Sequence, residues 1–143
     1  MGTNVMAVLG GQRVLRTNPL TSGDWHRVIT HGVPVRSADA LKDSLAVSDI
    51  VLAALLGVSD KTLTRARQAN ANLDSTTSDR LFRVAKIVAL ARDVLEGEAA
   101  AADWLKRPQL GLGGEKPLDL LTTAAGAQEV EQLLLRMEYG VYS

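Results

Sequence analysis

The chain has 143 residues, with 16 basic and 16 acidic side chains, 46% hydrophobic residues and no cysteine. This length corresponds to one ordinary domain or two very small ones, and the apolar content excludes a disordered chain. The absence of cysteine excludes disulfides, thiolate zinc sites and cysteine nucleophiles. The apolar runs are too short to cross a bilayer and no signal-peptide pattern is recognisable, so we expect a cytoplasmic protein without membrane contact.

Charge is unevenly distributed along the chain, although the formal net charge is zero. Residues 1–60 are neutral, residues 61–92 carry a net charge of +5, and residues 93–143 carry −5. A basic segment suits phosphates, and an adjacent acidic segment indicates a second surface with a different partner. Chance variation over a solvated surface is the alternative interpretation.

Apolar residues recur at helical spacing almost throughout, and no long alternating segment indicates a sheet, so we predict an all-α fold. Residues 1–22 give no clear pattern and are compatible with a short hairpin, a frayed helix or a flexible arm. A helix is predicted over about residues 24–31 and ends before Gly32 and Pro34. A second helix is predicted to begin near Ser37.

Two short helices joined by one tight turn are predicted between residues 48 and 68. Ser48 is the expected N-cap of the first helix, Gly57 ends it in the left-handed conformation, and Ser59 caps the second. Ala53 provides a small side chain one turn before the glycine, where two crossing helices approach closely. This combination is typical of a helix-turn-helix, although a capped helical hairpin without a DNA role would give the same pattern.

The second of these helices has a polar outer face that can reach base edges. Its outward positions, at i, i+3, i+4 and i+7, are Lys61, Thr64, Arg65 and Gln68. Arginine and lysine donate to guanine, glutamine pairs with adenine, and threonine contacts either a polar edge or a thymine methyl. A solvated helix face is the alternative, but the local charge of +5 favours DNA.

A long helix is predicted next, over about residues 77–96, with Gly97 closing it. Its apolar stripe is wide enough to bury the middle of the helix on most sides. Three basic side chains spaced by three lie on another face, where they could contact the DNA backbone, an acidic partner or only solvent. These are Arg80, Arg83 and Lys86.

The remaining residues predict three further helical segments, over about residues 99–105, 118–121 and 126–139, with Pro117 in a first helical position. The glycine loop at residues 110–114 lacks the Lys-Ser/Thr of a P-loop and follows no strand, so we interpret it as a close-packed turn. His26 and His31 are poorly spaced to share a metal ion. No nucleophile, base and oxyanion donors occur together, so we expect neither an enzyme nor a cofactor.

Several short motifs of the second half combine with the helix-turn-helix in one specific pattern. They are residues 47–68, Ser78-Asp79-Arg80-Leu81, Ala85, Ala102-Asp103-Trp104-Leu105, Pro108, Leu112-Gly113-Gly114, residues 117–121 (PLDLL), Gly126, Val130, Leu134, Arg136 and Gly140. Over residues 25–142 this pattern resembles the Xre/MbcA/ParS antitoxins of bacterial type II toxin–antitoxin modules, whose toxins carry a RES domain.

The resemblance implies an N-terminal, Xre-like helix-turn-helix domain followed by a small helical toxin-binding domain. Residues 1–24 would be a variable segment, residues 25–97 the DNA-binding and dimerisation domain, and residues 98–143 the toxin-binding domain. Such a protein would bind a cognate RES-domain toxin that degrades NAD and cover its active site. As a homodimer it would also bind double-stranded operator DNA and repress its own operon.

Functional residues are carried over from the family by position. The recognition-helix positions are Ser59, Lys61, Thr62, Thr64, Arg65 and Arg67, to which the spacing of the outer face adds Gln68. The toxin-facing end comprises Arg136, Met137, Glu138, Tyr139, Gly140, Val141, Tyr142 and Ser143. The alternative hypothesis is a stand-alone helix-turn-helix repressor, whose acidic C-terminal part would be an oligomerisation or effector domain.

Overall fold

The computed structural model describes residues 4–140, which form helices joined by short loops. The helices α1 to α10 are, in chain order, Val5–Val8, Gly11–Leu15, Ser22–His31, Val35–Leu45, Asp49–Leu56, Asp60–Ala69, Ser75–Leu95, Glu98–Leu105, Pro117–Leu120 and Ala124–Glu138. A 3-10 turn, Leu110–Leu112, lies between α8 and α9. Within residues 4–140 there is no strand, and one isolated bridge pairs Pro34 with Asn72. The all-α prediction, with a helix-turn-helix domain followed by a small helical one, is confirmed.

Capping side chains explain why two helices begin earlier than the sequence pattern predicts. In α3, the hydroxyl of Thr21 accepts the N–H of Asp24, and the Asp24 carboxylate accepts the N–H of Thr21, which is a complete capping box. Asp24 is therefore the third residue of the helix instead of the first. Likewise, Asp74 caps α7 by accepting the N–H of Thr77 at 2.7 Å, so that helix begins at Ser75.

The end of α7 also differs from the prediction. Glu96, and not Gly97, has the left-handed conformation that terminates the helix, with a φ of +57°. The N–H of Gly97 returns to the carbonyl of Arg92 at 3.1 Å, which satisfies one of the last carbonyl groups of the helix. Gly97 instead precedes α8 as its N-cap.

Helix α7 lies at the centre of the core and contacts α1, α3, α5, α8 and α10. Leu81, Val84 and Ala91 are completely buried, and Val88 is nearly so. The predicted burial of the middle of this helix is confirmed. One helix thus supports both the helix-turn-helix and the C-terminal helices.

The N-terminal segment is helical and packs into the same core. Val8 and Leu9 are completely buried, and Leu15 is 3% exposed. The helical path is interrupted between α1 and α2 at Gly10, where φ is +97°. An added Cβ atom at this glycine would lie 2.7 Å from the Cβ of Val14. Neither a hairpin nor a flexible arm is present in residues 4–22, and this segment belongs to the folded body.

A buried hydroxyl joins the start of α7 to the segment before α4. Ser78 is fully buried, and its Oγ accepts the N–H of Val33 at 2.8 Å while donating to the carbonyl of Leu73. Buried backbone groups require such partners because an unsatisfied one is costly. Within residues 4–140, no helix combines the length and apolarity that a membrane span requires.

Candidate functional site

Helices α5 and α6 form the predicted helix-turn-helix. The hydroxyls of Ser48 and Ser59 each accept a backbone N–H in the first turn of the helix they cap. Gly57 ends α5 with a φ of +68°, and Ala53 is only 6% exposed where the two helices meet. The cap, turn and small-residue predictions are therefore confirmed.

Arg80 closes the end of α5 from the side of α7. Its Nη1 lies 3.4 Å from the carbonyl oxygen of Leu56, where a positive charge complements the helix dipole. A Cβ atom on Gly57 would lie 2.7 Å from the same nitrogen. Glycine is thus required at this turn both for its conformation and for the approach of the guanidinium.

The other two residues of the predicted basic row on α7, Arg83 and Lys86, also contact the protein. The ammonium of Lys86 lies 5.8 Å from the centroid of the Phe82 ring, which in turn contacts the ring of Trp25. Arg83 is partly buried, and its Nε has no hydrogen-bond partner within residues 4–140. The basic row of α7 is therefore tied to the protein surface and is not a simple solvated face.

The outer face of α6 brings together the residues selected by spacing. Its four side chains are all exposed, whereas Leu63 beneath them is 1% exposed. They are Lys61, Thr64, Arg65 and Gln68. None of the four forms an ion pair or a side-chain hydrogen bond with the rest of residues 4–140. This face is available for polar contacts with another molecule.

Ser59 and Thr62 lie at the N-terminal end of the same helix. Both are exposed, and their hydroxyl oxygens are 3.0 Å apart. Because Ser59 also caps the helix, these hydroxyls stabilise the first turn. A phosphate reaching this end would compete with their mutual hydrogen bond.

Arg67 is the member of the predicted DNA-contact set whose guanidinium is already paired within the protein. Its guanidinium donates to Asp39 of α4 at 2.9 Å and to both carboxylate oxygens of Asp49 of α5, at 2.7 and 3.1 Å. The position follows from helical geometry, since residue 67 is four residues after Leu63 and shares its inward side. Arg67 therefore joins α4, α5 and α6 and holds α6 in its orientation.

This ion pair alters the titration of its members. The hydrogen bond from Arg67 is the largest influence on Asp49 and lowers the pKa of its carboxyl, and the ammonium of Lys42, 3.4 Å away, acts in the same direction. The two carboxylates raise the pKa of Arg67 in return. Asp49 and Arg67 are therefore both charged at neutral pH.

The C-terminal helices pack through close backbone approaches at two glycines. Gly111 faces Leu133 of α10, whose Cδ1 would lie 2.8 Å from an added Cβ. Gly126 approaches the carbonyl oxygen of Leu120 so closely that an added Cβ would lie 2.0 Å from it. The predicted close-packed interpretation of the glycine loop is consistent with the first of these contacts.

The end of α10 is largely exposed. Arg136, Glu138, Tyr139 and Gly140 are exposed, Tyr139 by 75%, whereas Met137 is half-buried against the core. The other three residues of the predicted toxin-facing end lie outside the described residues. They are Val141, Tyr142 and Ser143.

Leu110 is an exposed apolar residue that the sequence analysis did not select. Its side chain is 98% exposed, whereas Leu112, two residues later, is 9% exposed. A leucine followed by a glycine in a polar loop is a weak signal, because either leucine could have been the buried one. The structure distinguishes them, and it places a fully exposed leucine in the C-terminal part.

Two family models match this chain at adjacent, non-overlapping positions. The model described as the antitoxin Xre-like helix-turn-helix domain matches residues 24–86. The model described as the antitoxin Xre/MbcA/ParS C-terminal toxin-binding domain matches residues 90–140. The first covers most of α3, all of α4 to α6 and the first half of α7, and the second covers the end of α7 together with α8, α9 and α10.

Individual proteins give the same result. The antitoxin Xre of Photorhabdus laumondii is 28% identical over 127 residues, which cover 87% of this chain and 86% of that protein. A protein of Sphingobium named Prs ADP-ribosylating antitoxin is 29% identical over 125 residues, covering 81% and 79%. The crystal structure of the M. tuberculosis MbcT–MbcA toxin–antitoxin complex contains a chain that matches with a TM-score of 0.57 and 21% identity, covering 76% of this chain and 96% of that one.

The two matched models account for most of the described chain, and they follow the order that the sequence pattern indicates. A helix-turn-helix with an exposed polar face on α6 precedes helices that match a toxin-binding domain. This chain therefore belongs to the Xre/MbcA/ParS family and is the antitoxin of a toxin–antitoxin module.

Proposed function

We propose that this antitoxin neutralises a RES-domain, NAD-degrading toxin by covering its active site with the C-terminal end, and represses its own operon through α6. The observation that carries the proposal is the presence, in one chain, of an unpaired polar face on α6 and an exposed end of α10. We propose that the two parts divide near residue 97, where α7 has ended and α8 begins.

The toxin-binding surface is proposed to include apolar as well as acidic groups. Tyr139 is 75% exposed and Leu110 is 98% exposed, and large exposed apolar side chains are characteristic anchors of interfaces. Residues 93–143 carry a net charge of −5. A cleft that binds the pyrophosphate of NAD is electropositive, so an acidic antitoxin end complements it.

The proposed NAD chemistry also has support from a relative's name. The name of the Sphingobium relative refers to ADP-ribosylation, a transfer for which NAD is the ordinary donor. The chain with the similar fold belongs to the MbcT–MbcA toxin–antitoxin complex. A toxin that consumes NAD is consequently the partner that we propose for this chain.

The DNA-binding half of the proposal rests on α6. Arg65 and Lys61 are exposed and unpaired, so they can donate to guanine without breaking a contact within the protein. One helix-turn-helix per chain favours a homodimer that binds two half-sites, with centres about 34 to 36 Å apart. The operon's own promoter is the proposed operator.

A two-part experiment tests the two activities separately. Deleting residues 139–143 should abolish neutralisation of the toxin encoded beside this chain and leave operator binding unchanged. Arg65→Ala should weaken operator binding by about 1 to 3 kcal/mol and leave neutralisation unchanged. Arg107→Ala is the matched control, because Arg107 is an exposed arginine of the C-terminal part whose one ion pair among residues 4–140 is with Asp103.

The results distinguish the alternatives. Neutralisation by the truncated chain at full strength would refute the role of the C-terminal end. Operator affinity that is equal for the wild type and Arg65→Ala would remove Arg65 from the interface. Failure of the chain to co-purify with the neighbouring toxin would instead favour a stand-alone repressor.

A further inference from the structure

Three arginines from separate parts of the chain line one cleft of about 470 Å³. Arg13 and Arg16 come from the N-terminal segment at and after α2, and Arg36 comes from the first turn of α4. The amide side chains of Asn70 and Asn72, which follow α6, line the same cleft. No acidic residue lines it.

The three guanidinium groups have no partner of their own. All three residues are exposed, and none of them forms an ion pair or a side-chain hydrogen bond within residues 4–140. Arginine remains charged at neutral pH and presents a planar set of donors that fits phosphate oxygens. Three such groups around one concave surface form a site for an oxyanion.

Local structure places two of these arginines at helix ends. Arg36 lies in the first turn of α4, where the helix dipole is positive and the turn holds no acidic residue. Arg16 is the C-cap of α2 and ends that helix in the left-handed conformation, with a φ of +67°. A bound anion would offset the unfavourable interaction of Arg36 with the helix dipole.

The cleft is held in a fixed position relative to the helix-turn-helix. Leu15, between the two N-terminal arginines, is buried in the core, and Pro34 pairs with Asn72 through an isolated bridge. Asn70 is the C-cap of α6. The cleft therefore lies at the end of α6, about 7.5 Å along the helix axis from Arg65, given a rise of 1.5 Å per residue.

This position identifies the oxyanion. The first residues of a recognition helix contact base edges, so the groups beyond its other end face the neighbouring sugar-phosphate backbone. We propose that the three-arginine cleft binds backbone phosphates of the DNA duplex that lies against α6. The inference rests on the DNA-binding function proposed above, and it assigns a DNA contact to the N-terminal segment.

Salt dependence provides the test. The triple variant Arg13→Gln, Arg16→Gln, Arg36→Gln should bind both operator and unrelated duplexes more weakly, because phosphate contacts carry no sequence information. Each lost phosphate contact lowers the slope of log K against log salt by about 0.9, so three lost contacts make the slope about 2 to 3 units shallower. Fluorescence anisotropy with a labelled 30-base-pair duplex between about 50 and 300 mM KCl measures it.

A charge-matched variant controls for the loss of net charge. Lys106→Gln, Arg107→Gln, Lys116→Gln removes three positive charges from the C-terminal part, and its slope should equal that of the wild type. The three cleft arginines are exposed, so the circular dichroism spectrum and the toxin neutralisation of the cleft variant should match those of the wild type. Each of the three single variants of the cleft should make the slope of log K against log salt about one unit shallower.

The possible failures are separable. If the wild type binds duplex DNA but the cleft variant keeps its salt slope, the cleft assignment is wrong and the proposed function stands. If the wild type binds no duplex at any salt concentration, the DNA-binding function and the cleft assignment both fail. If the cleft variant loses thermal stabilisation by inorganic pyrophosphate while its duplex binding is unchanged, the site binds a free phosphate compound, and the duplex assignment is overturned.

Discussion

Gly126→Ala is the substitution for which the structure gives the most specific expectation. Alanine normally stabilises a helix relative to glycine by about 0.5 to 1 kcal/mol, because glycine loses more backbone entropy on folding. At position 126, however, the new Cβ would lie 2.0 Å from the carbonyl oxygen of Leu120 and 2.9 Å from its carbon. Both atoms belong to the backbone, so no side-chain rotation relieves the contact.

The magnitude follows from these opposing effects. Relieving the contact requires α9 and α10 to separate by roughly an ångström, and overpacking of this kind costs about 1 to 3 kcal/mol. Because the obstructing group is backbone, we take the upper end and expect a net destabilisation of about 2 kcal/mol. For a chain of this length the melting temperature should fall by roughly 4 to 8 °C.

Gly23→Ala is the matched control. Gly23 is also in the first turn of a helix, but an added Cβ there would only meet Arg27 and Thr21 at ordinary contact distances of 3.7 Å. It should therefore raise the free energy of unfolding by about 0.5 to 1 kcal/mol. Urea titrations followed by circular dichroism at 222 nm measure both variants. A Gly126→Ala protein as stable as Gly23→Ala would show that the reasoning about Leu120 is wrong.

Two further predictions concern buried or paired polar groups. Ser78→Ala should destabilise the fold by about 1 to 3 kcal/mol, because it leaves the N–H of Val33 without a partner, whereas the exposed Ser75→Ala should change stability by less than about 0.5 kcal/mol; equal urea midpoints would contradict this. The pKa of Asp49 is lowered from 3.8, mainly by Arg67, so its stabilising contribution is complete above pH 3.8 and is lost as the pH falls through the lower folded-state value. The free energy of unfolding of the wild type should therefore fall more steeply below pH 3.8 than the free energy of unfolding of the Arg67→Met variant. Parallel curves for the two proteins would show that this ion pair does not contribute to acid unfolding.

The features of the helix-turn-helix that depend on neighbouring residues were predictable from the sequence. Ser48, Gly57 and Ser59 act within one helical turn, so their roles follow from local geometry and spacing. The family motifs of the C-terminal part could also be recognised from the sequence alone. Predictions about burial along α7 succeeded for the same reason, since the width of its apolar stripe is a property of the sequence.

Features that depend on tertiary contacts were not predictable. The two carboxylates that bind Arg67 are 28 and 18 residues away in sequence, so its ion-pair partners could not be identified before α4 and α5 were in place. The N-terminal segment has too few residues per helix to show a period, and its burial depends on α4 and α7. Similarly, nothing local determines that Leu110 is exposed while Leu112 is buried.

Helix α7 has a consequence for how a repressing complex is built. Its 21 residues extend over about 30 Å, with α3 and α5 packed against it as well as α8 and α10. Because α7 is continuous, it sets the distance between the DNA that we propose α6 binds and the toxin that we propose the C-terminal end binds. In the proposed homodimer, the spacing of the two half-sites on the promoter would then determine the distance between the two bound toxins and whether they clash sterically.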